Sequence, residues 1–205
     1  MKLISNKGNV YGVISEYENT PEYIEKALSS GFDVKIDLTM IDNKLYIGNE
    51  IEKHKLDIDW LEKHHNRLWL ECKDIKIIER FNQIDNRGAY LNCFWHENDL
   101  LTLTSRGYIL SYGVDVVNSS VMMLPEINDD TIKSCYGICS NNIIEYIKDN
   151  SFEFNKDDNI KKLLLAFFKN QIKAKIYKII IIVNIIYVER KWNMSFFMNF
   201  KKYIS

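Results

Sequence analysis

The order in which the apolar period changes between residues 20 and 83 constrains this chain more than any other feature. "TPEYIEKALSSG" reads as a helix marked at both ends, with Thr20 at the N-cap, Pro21 in the first turn and Gly31 at the close. Tyr23, Ile24, Ala27 and Leu28 fall on one face at helical spacing. "FDVKIDLTM" then alternates, placing Asp33, Lys35 and Asp37 on one side and Val34, Ile36 and Leu38 on the other. After a turn at Asp42 and Asn43 come "KLYIGNE" as an extended run, "IDWLEKHH" as a short helix, "RLWLECK" as a strand and "IKIIERFNQI" as a helix. Strand, helix, strand, helix is the pattern of a parallel sheet.

Beyond residue 83 the periods shorten. "AYLNCFWH", "LLTLTS", "YILSY", "SSVMMLPE" and "YGICS" read as strands joined by loops or single helical turns. With "LISN", "FDVKID" and "RLWLECK" they make about eight strands, the number that closes a (β/α) barrel. The expected fold is therefore α/β, a compact TIM-type (β/α)8 barrel over residues 1–149 with a mainly helical extension over 150–205. The extension is dense in Ile, Lys and Asn, and neither Gly nor Pro punctuates it.

Charge excludes some partners. With 27 basic and 28 acidic residues the formal net charge is -1, so no global field attracts nucleic acid or an anionic membrane, and any anion site is local. Four cysteines (Cys72, Cys93, Cys135, Cys139) are too few and too scattered for a disulfide framework, which leaves buried reduced thiols as the expectation. Cys135, Cys139 and His96 lack the second close-spaced pair of a structural zinc site. The first residues lack the apolar run of a signal peptide, and the ten residues "IIIIVNIIYV" fall short of the roughly 20 that span a bilayer. A cytoplasmic location with no stable membrane span is the expectation.

The residues able to do chemistry gather at strand ends. Asp37 and Glu71 lie toward the ends of two expected strands, and Glu18 just before the first helix. Carboxylates converging on one rim of parallel strands are what Mg²⁺ or Ca²⁺ needs, since both take hard oxygen ligands. His96, beside Glu97 and Asp99, is expected on the same rim. His54, His64 and His65 fall in or near the helical segment on the outside, and Trp69 and Trp95 read as packing. Nucleotide-binding glycine motifs and the Gly-x-Ser-x-Gly elbow do not occur.

The succession "ISNKGN … ENTPEYIEKALSSGFDVKID … NKLYIGNE … LWLECK … GICSN" resembles the glycerophosphodiester phosphodiesterases of lipid metabolism over residues 2 to 147. That resemblance implies a TIM-type barrel that hydrolyses phosphodiesters with a divalent metal and two histidines. The family's His-Arg-Gly turn is matched by Asn6-Lys7-Gly8, and its Gly-His-Asp motif by Gly48-Asn49-Glu50, so both histidines are asparagine here. Glu18, Asp37 and Glu71 stand at metal-ligand positions, Lys35 replaces the first acid of the family's Glu-x-Asp, Lys73 matches a phosphate contact, and Asn141 replaces an Asp.

These replacements change the chemistry. Histidine, with a pKa of about 6.5, can deliver and remove protons near neutral pH, whereas an asparagine amide hydrogen-bonds without exchanging a proton. A lysine in place of a carboxylate repels a divalent cation. The expectation is a hydrolytically impaired or inactive pseudoenzyme that keeps a phosphate-sized pocket lined by Asn6, Lys7, Lys35, Asn49, Lys73 and His96, with metal binding weak or lost. One alternative is an active metal-dependent hydrolase rebuilt around Glu18, Asp37, Glu71 and His96. Another is an interaction or scaffold protein acting through residues 150–205.

Overall fold

The computed structural model describes residues 1–49, 51–83, 90–114, 116–125, 132 and 134–148. The extension expected over 150–205, with its Ile-rich run, lies outside the described residues, as does the end of the third helical segment. In chain order the elements are β1 (Lys2–Asn6), α1 (Pro21–Ser29), β2 (Asp33–Ile41), β3 (Lys44–Gly48), β4 (Lys53–Lys55), α2 (Ile58–His64) and β5 (Leu68–Cys72). They continue with α3 (Ile75–Gln83), β6 (Cys93–Phe94), β7 (Leu101–Leu103), β8 (Ile109–Ser111), β9 (Ser120–Met123), β10 (Gly137–Ser140) and α4 (Ile143–Lys148).

All these strands belong to one mixed sheet. Its main path runs β4-β3-β2-β1-β10-β9-β8-β7, and β5 and β6 branch from β2. β1, β2, β5, β6, β8, β9 and β10 pair in parallel, while β3, β4 and β7 pair antiparallel. β2 belongs to both arrangements: its first half lies between β1 and β5, and its last three residues pair with β3. Val34, Ile36 and Leu38 are fully buried on one face, and Asp33 and Lys35 are buried on the other, as a central parallel strand covered on both sides requires.

The fold is a mixed-sheet half-barrel with four short helices among the described residues, and this corrects the expected TIM-type (β/α)8 barrel. A closed barrel needs a helical crossover after each of eight parallel strands. Here β7, which counts as a barrel strand by composition, runs antiparallel to β8 as one arm of a hairpin. The link from β8 to β9 spans residues 112–119, shorter than the dozen or so residues a helical crossover takes. None of the described helices covers this part of the sheet, and Leu101 and Leu103 on the outer side of β7 are exposed, as is Trp95, which reads from the sequence as packing.

The concave side of the sheet carries an apolar cluster of Ile4, Trp69, Phe94, Leu110, Val121, Met123 and Cys139, with Tyr108, Tyr112 and Tyr136 packed against it. At one end of this cluster Asp33 is buried, accepting from Trp69 Nε1 at 3.2 Å and paired with Lys2 at 3.0 Å and Arg67 at 3.5 Å. Lys35 and then Asp37 follow on the same face toward the C-terminal end of β2. The outer face of β2 is covered in part by α1, whose Ile24, Ala27 and Leu28 are buried.

Candidate functional site

The site is built on the C-terminal ends of β1, β2 and β5. Strand pairing sets Asp37 directly opposite Glu71, and Asn6 opposite Lys35. Two carboxylates facing each other across adjacent strands repel. Lys35, two residues before Asp37 and therefore on the same face, resolves the conflict: its Nζ pairs with Asp37 Oδ1 at 2.5 Å and with Glu71 Oε2. Burial pulls the Lys35 pKa down, but the Asp37 and Glu71 carboxylates outweigh it and hold it above the ordinary lysine value. Burial acts on Asp37 in the raising direction, and Lys35, Lys7 and Lys73 outweigh it, so its carboxyl titrates below the usual range.

Two further lysines face the same carboxylates. Lys73 pairs with Glu71 Oε1 and lies 3.9 Å from Asp37 Oδ2, and Lys7 lies 3.3 Å from the same oxygen. Lys7 is presented by a turn in which two successive residues have positive φ, Lys7 at 56° and Gly8 at 87°. Only glycine fits the second position, because a Cβ there would stand 2.7 Å from the ring of Tyr23. The turn is tied down by Lys7 N donating to Lys35 O at 2.7 Å and by Asn19 N donating to Lys7 O at 2.9 Å. A strained turn held from both sides is the backbone setting in which binding groups are commonly fixed.

Beside this cluster opens a cleft of about 470 Å³, lined by Lys7, Glu18, Asp37, Lys53 and Lys73 among other residues. The volume suits a small ligand. Among the described lining residues three lysines stand against two carboxylates, a cationic balance.

Asn6 and Asn49, which the resemblance sets at histidine positions, are held by different partners. Asn6 is buried at the end of β1, donating from Nδ2 to Asn141 Oδ1 at 2.8 Å. Asn9 donates to the same oxygen at 3.1 Å and to Glu18 Oε1 at 2.5 Å. Asn49 lines the cleft, but its side chain is engaged in the loop: Nδ2 donates to Glu16 O at 2.7 Å, and Oδ1 accepts from Ile51 N and Glu52 N, both at 2.9 Å. Asn49 thus lines the cleft as expected while its side chain also holds backbone in place.

His96 lies outside the lining of the cleft. Its ring stacks on Tyr112, with centroids 3.9 Å apart and planes 5° from parallel, and Nδ1 is 3.1 Å from Thr102 Oγ1. The link from His96 to the site is Tyr112, whose hydroxyl is buried; burial, followed by the fields of Glu71, Cys139 and Asp37, raises its pKa. Of the other histidines, His54 lies in β4 and so departs from the expected helical segment, whereas His64 ends α2 and His65 is its C-cap; His64 pairs with Glu25 at 3.0 Å, and His65 stacks on Tyr90 at 4.1 Å.

The carboxylates expected to bind a divalent cation do not fit one as arranged. The Lys35 ammonium stands between Asp37 and Glu71, and Glu18 is engaged by Asn9. Among the described residues no three His, Cys, Asp or Glu side chains converge as a metal-binding group.

Sequence reasoning missed Asn9, Asn19, Lys53 and Tyr112. Asn19 joins the loop before α1 to the sheet: Nδ2 donates to Asp37 O at 2.8 Å and Gly48 O at 3.1 Å, and Oδ1 accepts from Asp37 N at 3.0 Å. Its φ of 59° is a conformation asparagine tolerates better than most residues, a signal present in "ENTP". Tyr112 carried no signal, since its position depends on the hairpin of β7 and β8. Among the described residues no helix is long and apolar enough to cross a membrane. Comparisons of the chain with protein-family models, with curated proteins and with solved structures find no match in any of the three.

Proposed function

We propose that this protein binds a phosphate ester or phosphodiester in the cationic cleft and does not hydrolyse it by metal-assisted, two-histidine chemistry. The observation that carries the reading is the Lys35 ammonium held between the facing carboxylates Asp37 and Glu71, with Lys7 and Lys73 on the cleft side of the same pair. A lysine there supplies the positive charge that would otherwise call for a cation. It also leaves Lys7, whose pair with Asp37 is long, and the Lys73 protons that Glu71 does not hold able to hydrogen-bond a bound phosphate oxygen.

Acid and base groups are the missing part. Each positioned proton-transfer group contributes about 10²- to 10⁴-fold to a reaction of this kind. Asn6 and Asn49 have no proton to exchange near neutral pH, and both are engaged in hydrogen bonds that fix loops.

Two measurements test this. Calorimetric titration with glycerophosphocholine and with inorganic phosphate is expected to show binding that weakens about tenfold for each of Lys7→Ala and Lys73→Ala, the loss of one hydrogen bond to a charged group. Hydrolysis of glycerophosphocholine and bis-p-nitrophenyl phosphate with Mg²⁺, Ca²⁺ or EDTA is expected to stay at the level of a Glu71→Ala control. Metal-dependent turnover lost in that control would overturn the reading in favour of a hydrolase rebuilt around Glu18, Asp37, Glu71 and His96.

A further inference from the structure

Resting on that reading, we propose that the ligand of the cleft is an amphiphile, a phosphate ester or phosphodiester bearing one apolar chain, with its head among the lysines and its chain along the rim. The rim is apolar where the floor is charged. Ile51 lines the cleft and is 81% exposed. Val13 and Ile14, at 54% and 45% exposure, directly precede Ser15, another lining residue, and Tyr17 follows at 49%.

Scattered exposed apolar residues are ordinary on a protein surface. These belong to two loops that the structure ties together at the mouth of one cleft. Asn49 Nδ2 donates to Glu16 O at 2.7 Å, joining the loop of Ile51 to that of Ile14. Within the latter, the amides of Tyr17 and Glu18 both donate to Ile14 O, at 2.9 and 3.1 Å, which folds the segment into a compact turn. The asparagine standing where a proton-transfer group would act thus holds an apolar rim over a cationic floor.

This pairing selects for a ligand with both properties. A phosphate head alone satisfies the lysines and leaves Ile51, Ile14 and Val13 in water; a chain attached to it covers them. Burying even a few methylenes strengthens binding about tenfold or more. The two loops cover a short length of chain, so the ligand is taken as a free monomer.

The test compares three probes by calorimetry: glycerophosphocholine, a short-chain lysophosphatidylcholine kept below its critical micelle concentration, and a phosphate-free monoacylglycerol of the same chain length. The lysophospholipid is expected to bind at least about tenfold more tightly than glycerophosphocholine, and the monoacylglycerol more weakly than either. In Ile51→Ser and in Ile14→Ser, both exposed positions where folding is not at risk, the ratio of the two phosphate ligands should fall to about threefold or less. Equal affinity for the two phosphate ligands would overturn the amphiphile proposal and leave phosphate binding standing. Failure of all three probes would overturn the phosphate reading itself. Monoacylglycerol binding as well as the lysophospholipid, or sedimentation with phosphatidylcholine vesicles without any monomer binding, would also overturn it.

Discussion

Lys35 is the residue on which the site turns, because strand register places Asp37 against Glu71 whatever else the protein does. Removing a single partner from a buried ion pair typically costs about 3–5 kcal/mol, since the remaining charge is left unpaired. Lys35→Met leaves the buried Glu71 carboxylate facing the partly buried Asp37, and we expect it to lower unfolding free energy by about that amount or somewhat less in urea titration, a loss partly recovered by Lys35→Met with Glu71→Gln. The same cluster sets a pH window. The Asp37 carboxyl is held below its ordinary value of 3.8, so its contribution is complete above that value and is lost as pH falls through the folded-state pKa. The Lys35 ammonium is held above its ordinary 10.5, so its contribution is complete below that value and disappears as pH rises through the folded-state pKa. The urea midpoint is expected to be flat between these limits and to fall on both sides, with the alkaline fall reduced in Lys35→Met. At this scale the sequence was informative: alternation alone puts Asp33, Lys35 and Asp37 on one face. It could not show that Asp33 belongs to the far end of that face, bound to Trp69, Lys2 and Arg67, because alternation fixes a side and not a depth.

At the scale of elements, the hairpin of β3 and β4 and the loop before α1 are held as one unit by two asparagines. Asn19 reaches β2 and the end of β3, and Asn49 reaches Glu16 while closing its own turn. Gly48, between them, has φ 142°, and a Cβ there would stand 2.1 Å from Glu52 O, so the turn depends on glycine as well. Asn49→Ala removes three hydrogen bonds at a partly exposed site where water replaces some of them. We expect a loss of about 1 kcal/mol in stability, with faster amide exchange at Ile51 and Glu52 as the sign that the loop has been freed. Asn49→His is expected to give no turnover, because Asn6 would still exchange no proton and Lys35 would still stand between Asp37 and Glu71. Helix α1 was legible from its ends, and Thr20 stands at its N-cap, but the hydroxyl makes no cap hydrogen bond: it donates to Tyr17 O at 2.8 Å, tying the preceding loop. Strand β4 was missed because "EKHK" has no apolar alternation, and only pairing with β3 makes it extended.

For the whole molecule, the question is what replaces the closed ring that the count of strands suggests. Strand composition carries no direction, so "LLTLTS" reads as one more barrel strand although the five residues 104–108 allow only a hairpin to β8. The branched sheet ends in β4, β6 and β7, and β6 and β7 share no ladder among the described residues. Ser105 joins them: its amide donates to Cys93 O at 2.8 Å, its hydroxyl donates to Leu91 O at 2.6 Å, and Cys93 N donates back to the hydroxyl at 3.0 Å. A two-residue strand with one ladder neighbour is weak by itself, so this serine takes the part of a missing strand pair. Phe94, next to Cys93, packs in the concave cluster with Trp69 of β5, the strand that carries Glu71. Loosening β6 therefore reaches the site through packing. We expect Ser105→Ala to cost about 1–2 kcal/mol and to raise amide exchange at Cys93 and Phe94 well above that at the β1 to β10 ladder. Ser105→Thr keeps the hydroxyl and should restore protection. Exchange at β6 unchanged in the alanine variant would mean that apolar packing alone closes the sheet, and the half-barrel would then owe its shape to the concave cluster rather than to this hydrogen-bonded seam.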